Sequence, residues 1–128
     1  MSQRRFILIA EDETDTANLL QFHLQRHGYR TAVAADGFNT LNLTFESHPD
    51  LVILDLMLPK LHGLEVCRML KASPSTNGIP IFMLTALAST ESKVQAFNVG
   101  ATDYMTKPFE IAELLARIES LLQRTRSQ

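Results

Sequence analysis

The chain has 128 residues, the usual size of one domain, and this length can bury one core without disulfides or a structural metal. Hydrophobic residues make up 45% and charged residues 20%, a balance that excludes disordered and fibrous proteins. The formal net charge of -2 argues against direct binding of nucleic acid or of an anionic membrane by this chain.

The N-terminal apolar run, residues 6–10, ends at a group of acids. It is too short for the core of a signal peptide or for a membrane span. The single cysteine, Cys67, cannot form an internal disulfide, and its helical setting predicts a small buried apolar side chain. These features lead us to expect a cytoplasmic protein without membrane attachment.

Five short apolar runs alternate with longer amphipathic stretches along the chain. The runs predict strands at residues 6–10, 29–34, 51–54, 79–84 and 104–106. The middle runs are nearly continuous, as expected of parallel strands that are covered on both faces. The second run alternates polar and apolar residues like an edge strand, and the fifth is too short to be stable without its neighbours.

The amphipathic stretches predict helices at residues 14–27, 37–46, 63–72, 89–99 and 109–124. Gly28 and Gly100 stand where left-handed C-terminal caps are expected after the first and fourth helices. Five successive βα units of this length predict a doubly wound α/β fold, because parallel strands need right-handed crossover helices. We expect the flavodoxin-like strand order 2-1-3-4-5, one domain over residues 1–124, and the start of a linker or tail at residues 125–128.

Polar side chains follow four of the predicted strands, at their carboxyl ends. They are Glu11, Asp12 and Glu13 after the first strand, Asp55 after the third, Thr85 after the fourth and Lys107 after the fifth. The carboxyl ends of parallel strands meet at one edge of the sheet, and ligands bind there where the strand order reverses. Crowded carboxylates repel one another unless a cation neutralises them, and oxygen ligands of this kind suit Mg²⁺ or Mn²⁺.

This group of residue types is typical of a site that handles a phosphoryl group. Mg²⁺ usually takes one or two carboxylates together with phosphate oxygens. Phosphoryl transfer then needs a nucleophile in line and fixed donors opposite the developing charge. We expect Asp55 to be the nucleophile, Lys107 the cation and Thr85 the hydroxyl that bonds a phosphoryl oxygen. Pro108 keeps Lys107 out of the helical region, consistent with a turn that aims its side chain into the site.

From Phe6 to about Arg124 the chain resembles the receiver domains of two-component response regulators. The matching strings are ILIAEDE (7–13), LVILDLMLP (51–59), IFMLTA (81–86) and GATDYMTKPF (100–109), together with Gly63. The resemblance implies a signalling switch in which Asp55 accepts a phosphoryl group from a sensor histidine kinase or a phosphotransfer protein. Such a domain is not a conventional enzyme, but it catalyses its own phosphorylation and dephosphorylation.

The same resemblance implies a set of metal ligands and a pair of switch residues. Asp12 and Asp55 would bind the ion directly, with the backbone carbonyl of Met57 as a third ligand and Glu11 acting through water. The matching switch residues are Thr85 and Tyr104. In the family, the phosphoryl group draws the threonine hydroxyl inward and the aromatic ring follows, which alters the surface around the fourth helix and fifth strand. The bond between Lys107 and Pro108 is typically cis there.

Residues 93–118 are most similar to the OmpR-like transcription factors, which form dimers through the fourth helix, fifth strand and fifth helix. Two ion pairs of that dimer are matched, by Lys93 with Glu113 and by Asp103 with Arg117. Thr102 stands where an acid is usual and Ser120 where a base is usual, so one pair is missing. The resemblance implies a homodimer and a DNA-binding output domain outside this chain.

The alternatives to a phosphoacceptor are an enzyme of another class on a similar fold and a binding module. A flavodoxin needs a phosphate-binding loop after its first strand, where this chain has acids that would repel an anion. An aspartyl phosphatase of the haloacid dehalogenase type needs an Asp-x-Asp pattern there, but Glu13 and Thr14 follow Asp12. A degenerate receiver that only docks a partner stays open as an alternative, although the complete set of polar residues argues against it.

Overall fold

A computed structural model of the chain describes residues 4–126. Its strands are β1 (Phe6–Ala10), β2 (Arg30–Ala34), β3 (Leu51–Leu54), β4 (Ile81–Thr85) and β5 (Asp103–Thr106). Its helices are α1 (Thr14–Arg26), α2 (Gly37–Ser47), α3 (Gly63–Ala72), α4 (Thr90–Asn98) and α5 (Ile111–Arg126). All strand pairs are parallel, and the sheet order is β2-β1-β3-β4-β5. The predicted doubly wound fold and strand order are confirmed.

The sheet has a hydrophobic layer on each face, because successive side chains of a strand point to opposite sides. Ile7 and Ile9 of β1 belong to one buried cluster, which also contains Ile118 of α5. Leu8 lies between them in sequence and belongs to the other cluster, with Val66 of α3. Burial on both faces explains why the central strands are continuously apolar in sequence. No helix within residues 4–126 has the length and apolar character needed to cross a membrane.

Most element boundaries lie close to the predicted ones, and the differences have local causes. The fourth strand begins at Ile81 rather than Ile79, because the N–H of Ile79 bonds to the Thr76 carbonyl in a turn (3.0 Å) and Pro80 has no N–H to donate. The last helix begins at Ile111, after Pro108, and continues to Arg126 rather than ending at residue 124. Residues 1–3 of the predicted domain and residues 127–128 of the predicted tail lie outside the described residues.

Both predicted glycine caps are confirmed by their backbone angles. Gly28 has φ +88° and Gly100 has φ +111°, in the region that favours glycine. A side chain at Gly100 would also lie 2.6 Å from Cγ of Lys71. The Lys71 side chain passes this glycine, and its ammonium donates to the carbonyls of Ile79 (2.7 Å) and Asn77 (3.1 Å). Burial lowers the pKa of Lys71, and these two bonds secure the segment that leads into β4.

Cys67 is completely buried in α3, as predicted. Its thiol lies 3.6 Å from the carbonyl oxygen of Val99, and burial raises its pKa to about 11. A thiol with this pKa is almost entirely protonated at neutral pH, so it has little nucleophilic character. The observation supports a packing role for Cys67.

Candidate functional site

Three carboxylates meet at the carboxyl edge of the sheet, between β1 and β3. Glu11 and Asp12 follow β1 directly and Asp55 follows β3, and the N–H of Asp55 donates to the Ala10 carbonyl (3.1 Å), which extends the pairing of the two strands. One oxygen from each of the three carboxylates lies within 4.8 Å of the others. Glu11 and Asp55 are buried, whereas Asp12 is exposed. The strand order alone therefore brings these acids together, as the sequence predicted.

Lys107 reaches this acidic group from the loop between β5 and α5. Its Nζ lies 2.6 Å from Glu11 Oε1, 2.9 Å from Asp55 Oδ2 and 3.5 Å from Glu13 Oε1. Its backbone N–H donates to the Thr85 carbonyl (2.8 Å), so the loop is attached to the end of β4. The bond between Lys107 and Pro108 is cis. The lysine thus places one cation among the carboxylates of two other strands.

Burial and charge act against each other on the ionisable groups of the site. Burial raises the pKa of Glu11, and the hydrogen bonds from Lys107 and from the Glu13 N–H offset this only in part. Burial lowers the pKa of Lys107, but its hydrogen bonds to Glu11 and Asp55 and their negative charges outweigh that effect and raise it. Lys107 therefore stays charged at any physiological pH, and it is the cation that makes two buried acids tolerable.

The carboxylate of Asp55 is held at both of its oxygens. Oδ2 accepts from Lys107, and Oδ1 accepts from the backbone N–H of Met57 (3.0 Å). The backbone behind it packs closely against the start of α3, where the N–H of Gly63 donates to the Leu56 carbonyl (2.8 Å). A Cβ atom at Gly63 would lie 2.3 Å from the Asp55 carbonyl oxygen. Only glycine allows this approach, which accounts for its presence in the sequence pattern.

We expect Gly63→Ala to destabilise the fold by about 1–3 kcal/mol, because the added methyl group must displace backbone rather than a flexible side chain. Gly78→Ala is the matched control, since a Cβ atom at Gly78 meets nothing within 4 Å. Urea unfolding of both variants measures the difference. Equal stability of the two would show that the close approach at Gly63 carries no energetic constraint.

Thr85 and Tyr104 are connected through the backbone of one residue, Leu87. The N–H of Leu87 donates to Thr85 Oγ1 (3.4 Å), and the hydroxyl of Tyr104 donates to the Leu87 carbonyl (2.6 Å). Thr85 is fully buried and Tyr104 is 7% exposed, and the centroid of the Phe97 ring, from α4, lies 6.4 Å from that of the Tyr104 ring. Burial raises the pKa of Tyr104, and the charge of Asp55 adds to this. The sequence pattern identified the two side chains but not the backbone link between them.

The four residues expected at a dimer interface lie on the surface formed by α4, β5 and α5. Arg117 bonds within its own chain to Asp103 and to Glu113, each at 2.8 Å. Lys93 lines a cavity of about 280 Å³ with Glu113 and Arg117. Thr102, which stands where an acid is usual, uses its Oγ1 to accept the N–H of Ile81 (3.1 Å). That hydrogen bond gives Thr102 a structural role between β4 and β5.

Comparison with known proteins gives a consistent result. A family model described as the response regulator receiver domain matches residues 7–119. A curated relative, the DNA-binding dual master transcriptional regulator RpaA of Synechocystis, is 44% identical over 119 residues, which is 93% of this chain and 49% of the relative. The chain thus spans about half the length of that relative.

Solved structures agree with the family match. The receiver domain of the Francisella response regulator 1452 is 34% identical, with a TM-score of 0.89 over 95% of this chain and 99% of that one. The BeF3-activated N-terminal receiver domain of Klebsiella pneumoniae RstA is 32% identical, with a TM-score of 0.86 over 92% of this chain and 98% of that one. The chain belongs to the response regulator receiver domains of two-component signalling systems.

Proposed function

We propose that this receiver domain is switched by phosphorylation of Asp55. The observation that carries the proposal is the position of the Lys107 ammonium, 2.9 Å from Asp55 and 2.6 Å from Glu11, beside carboxylate oxygens that lie within 4.8 Å of one another. Phosphoryl transfer requires a nucleophile, a fixed cation and an acidic group, and all three lie at one open edge of this sheet.

The donor set at this edge fits Mg²⁺, or Mn²⁺ in its place. Carboxylate oxygens of Asp12, Asp55 and Glu11 are hard ligands, and Asp12 is open to solvent, which suits an ion that keeps several waters. We assign Asp12 and Asp55 as direct ligands, the Met57 carbonyl as a third, and Glu11 as a partner through water. The ion would supply neutralisation of the phosphoryl oxygens.

The residues of this chain orient and stabilise the reacting group. Asp55 is fixed by Lys107 and by the Met57 N–H, so its carboxylate presents one orientation to an incoming phosphorus atom. The bond from phosphorus to the imidazole nitrogen of a phosphohistidine breaks as the bond to the Asp55 oxygen forms. Lys107 faces the negative charge of the transferred group, and the Thr85 hydroxyl bonds one of its oxygens. The donor is a sensor histidine kinase or a phosphotransfer protein.

Mass measurement tests this function directly. The protein is incubated with acetyl phosphate and Mg²⁺, and a second sample receives EDTA in place of the metal. A gain of one phosphoryl mass in the first sample alone supports a phosphoacceptor. No gain in either sample would favour the alternative of a domain that docks its partner without accepting phosphate.

The switch is proposed to run from Thr85 to Tyr104 through Leu87. A phosphoryl group that draws the Thr85 hydroxyl inward would weaken the hydrogen bond that this hydroxyl accepts from the Leu87 N–H. The carbonyl of the same residue, Leu87, accepts the hydrogen bond from the Tyr104 hydroxyl. Movement of this backbone would change the environment of the Tyr104 ring and hence the surface of α4 and β5.

Tyrosine fluorescence can measure this coupling, because the chain has no tryptophan and only two tyrosines. In a Tyr29→Phe background, phosphorylation should change the emission of Tyr104. We expect Thr85→Ala to accept the phosphoryl group, since Asp55 is intact, and to lose most of that change. Thr31→Ala, on edge strand β2, is the control and should keep it. A full change in Thr85→Ala would exclude the proposed route.

The phosphorylated form is proposed to be long-lived. Met57 and Leu87 stand two positions after Asp55 and Thr85, and neither apolar side chain can orient an attacking water. Exchanging them in Met57→Asn/Leu87→Gln should speed dephosphorylation roughly tenfold or more. Decay of the phosphorylated mass gives the rate, with Met69→Gln, a change on the exposed face of α3, as control. An unchanged rate in the double variant would contradict this explanation.

The output of the switch is proposed by analogy with the relative named as a DNA-binding transcriptional regulator. On this proposal a DNA-binding domain lies outside this chain, α5 leads into the linker, and the receiver itself binds no nucleic acid. Homodimers would form through α4, β5 and α5 in the cytoplasm. Arg117 would then exchange its bonds within the chain for bonds across the interface, at little net cost because exposed ion pairs contribute only about 0–1 kcal/mol.

A further inference from the structure

A second cavity, of about 350 Å³, opens at the opposite edge of the sheet from the phosphoacceptor site. It lies where β1 and β2 begin and where α2 ends. The ionisable side chains in its lining are Arg4, Arg5, Arg30, His48 and Asp50. The cavity shares no residue with the site around Asp55, and nothing in the proposed switch uses it.

The register of the sheet explains why arginines from separate segments meet here. Phe6 of β1 pairs with Arg30 of β2, and the N–H of Arg30 donates to the Arg5 carbonyl (2.9 Å). Arg4 and Arg5 immediately precede β1, so their side chains start next to the first residue of β2. The guanidinium of Arg30 lies over the Phe6 ring, 5.1 Å from its centroid, a contact that restrains a long side chain at the cavity wall.

The charges of the cavity do not cancel. Its carboxylate, Asp50, already accepts the Phe6 N–H (2.7 Å) and forms an ion pair with Arg5 at 3.7 Å. Arg5 also donates to the Leu122 carbonyl (3.4 Å). Within residues 4–126, neither Arg4 nor Arg30 forms an ion pair with any carboxylate. Two guanidinium charges therefore face the cavity without an acidic partner, in a chain whose formal net charge is -2.

The end of α2 opposes this charge only weakly. His48 is the C-cap of α2, and the carbonyls there carry a partial negative charge of about half an elementary unit. This half charge is smaller than the two positive charges of the unpaired guanidinium groups.

A guanidinium matches the oxygens of a phosphate with two parallel hydrogen bonds, whereas a simple halide makes no such pair. A volume near the lower end of the roughly 300–1,000 Å³ of known ligand pockets suits a small molecule rather than a polymer.

We propose that this cavity is a second anion site, which binds the phosphate group of a small molecule through Arg4 and Arg30. The ligand is either free inorganic phosphate or a phosphate ester. The competing interpretation is that the two arginines are only solvated side chains that stabilise the negative end of α2. That interpretation predicts no saturable binding of phosphate.

An NMR titration of amide shifts in the whole chain distinguishes these cases. Inorganic phosphate and AMP are added separately at constant ionic strength with EDTA, so that no metal recruits phosphate to the carboxylates around Asp55. We expect saturable shifts at residues 4–6, 30–31 and 47–50. AMP binding more tightly than phosphate would identify an ester as the ligand class, and equal affinities would identify free phosphate.

Two variants complete the test. The double substitution Arg4→Gln and Arg30→Gln should weaken binding about tenfold or more, because it removes both charge-assisted donors. Arg26→Gln is the matched control, since Arg26 also lies over an aromatic ring, that of Phe22 at 5.5 Å, but outside the cavity. The amide spectra of both variants report directly whether the fold is kept. Shifts that never saturate, or an equal loss of affinity in Arg26→Gln, would overturn the proposal.

Discussion

The variant Asp55→Asn is expected to accept no phosphoryl group from acetyl phosphate and Mg²⁺, whereas the unmodified chain gains one. An amide has no anionic oxygen to attack phosphorus, so the loss should be complete rather than partial. The fold should remain, with stability within about 1 kcal/mol of the parent, because the Lys107 ammonium keeps its 2.6 Å contact with Glu11. Intact-protein mass and thermal unfolding check the two halves of this expectation.

The matched control is Asp15→Asn, which changes an acid in the exposed first turn of α1. This variant should still gain one phosphoryl mass at the parent rate. If Asp55→Asn were phosphorylated to the same extent as Asp15→Asn, the acceptor would be another residue and the assignment of Asp55 would be wrong.

The variant Lys107→Ala is expected to lose about 3 kcal/mol of stability in metal-free buffer. Lys107 is the cation bonded to two carboxylates whose side chains are only 2% and 7% exposed, those of Glu11 and Asp55. Removing one partner of a buried ion pair leaves uncompensated charge, which costs far more than the pair itself contributes. Millimolar Mg²⁺ should restore part of the loss, because an ion that binds the folded acids stabilises the folded state.

Lys60→Ala is the control for this experiment, since the Lys60 side chain is 67% exposed and its ion pair with Asp36 is long, at 3.7 Å. Its loss should stay below about 1 kcal/mol and should not depend on Mg²⁺. Urea unfolding of the parent and of both variants, with and without Mg²⁺, measures these losses of stability. A Lys107→Ala protein as stable as the parent, and indifferent to Mg²⁺, would mean that the acidic group does not need the lysine.

The fold could be predicted from the sequence because the central apolar runs, which form β1, β3 and β4, are buried on both faces. The runs at β1 and β3 have no polar residue that would permit a solvent-facing side, so crossover helices on both faces follow. Boundaries were less predictable where hydrogen bonding competes with hydrophobic pattern. Ile79 is apolar like a strand residue, but its N–H bonds to the Thr76 carbonyl in a turn, and the hydrophobic pattern does not reveal that bond.

The gathering of the three acids and Lys107 could also be predicted, since it depends on which strand each residue follows. The exact contacts could not be predicted from the sequence. That Lys107 lies closer to Glu11 than to Asp55, and also reaches Glu13, depends on the path of the loop after β5. The link through Leu87 was hidden for a different reason, because it uses backbone groups that every residue possesses.

The cavity with the unpaired arginines shows a further limit of pattern reading. Arg4 and Arg30 are far apart in sequence and each resembles an ordinary surface residue. Only the parallel register of β1 with β2 brings them to one cavity. Charge balance over the whole chain conceals such a local excess, because acids at one edge of the sheet offset arginines at the other.

The most direct test of the phosphoacceptor assignment is chemical trapping of the modified residue. Borohydride reduces an acyl phosphate on aspartate to homoserine, so the protein is phosphorylated with acetyl phosphate and Mg²⁺, reduced, digested and sequenced by mass spectrometry. The account predicts homoserine at position 55, within the segment 51–59, and none when EDTA replaces the metal. Homoserine at any other aspartate, or at none while the intact protein has gained phosphate, would contradict it.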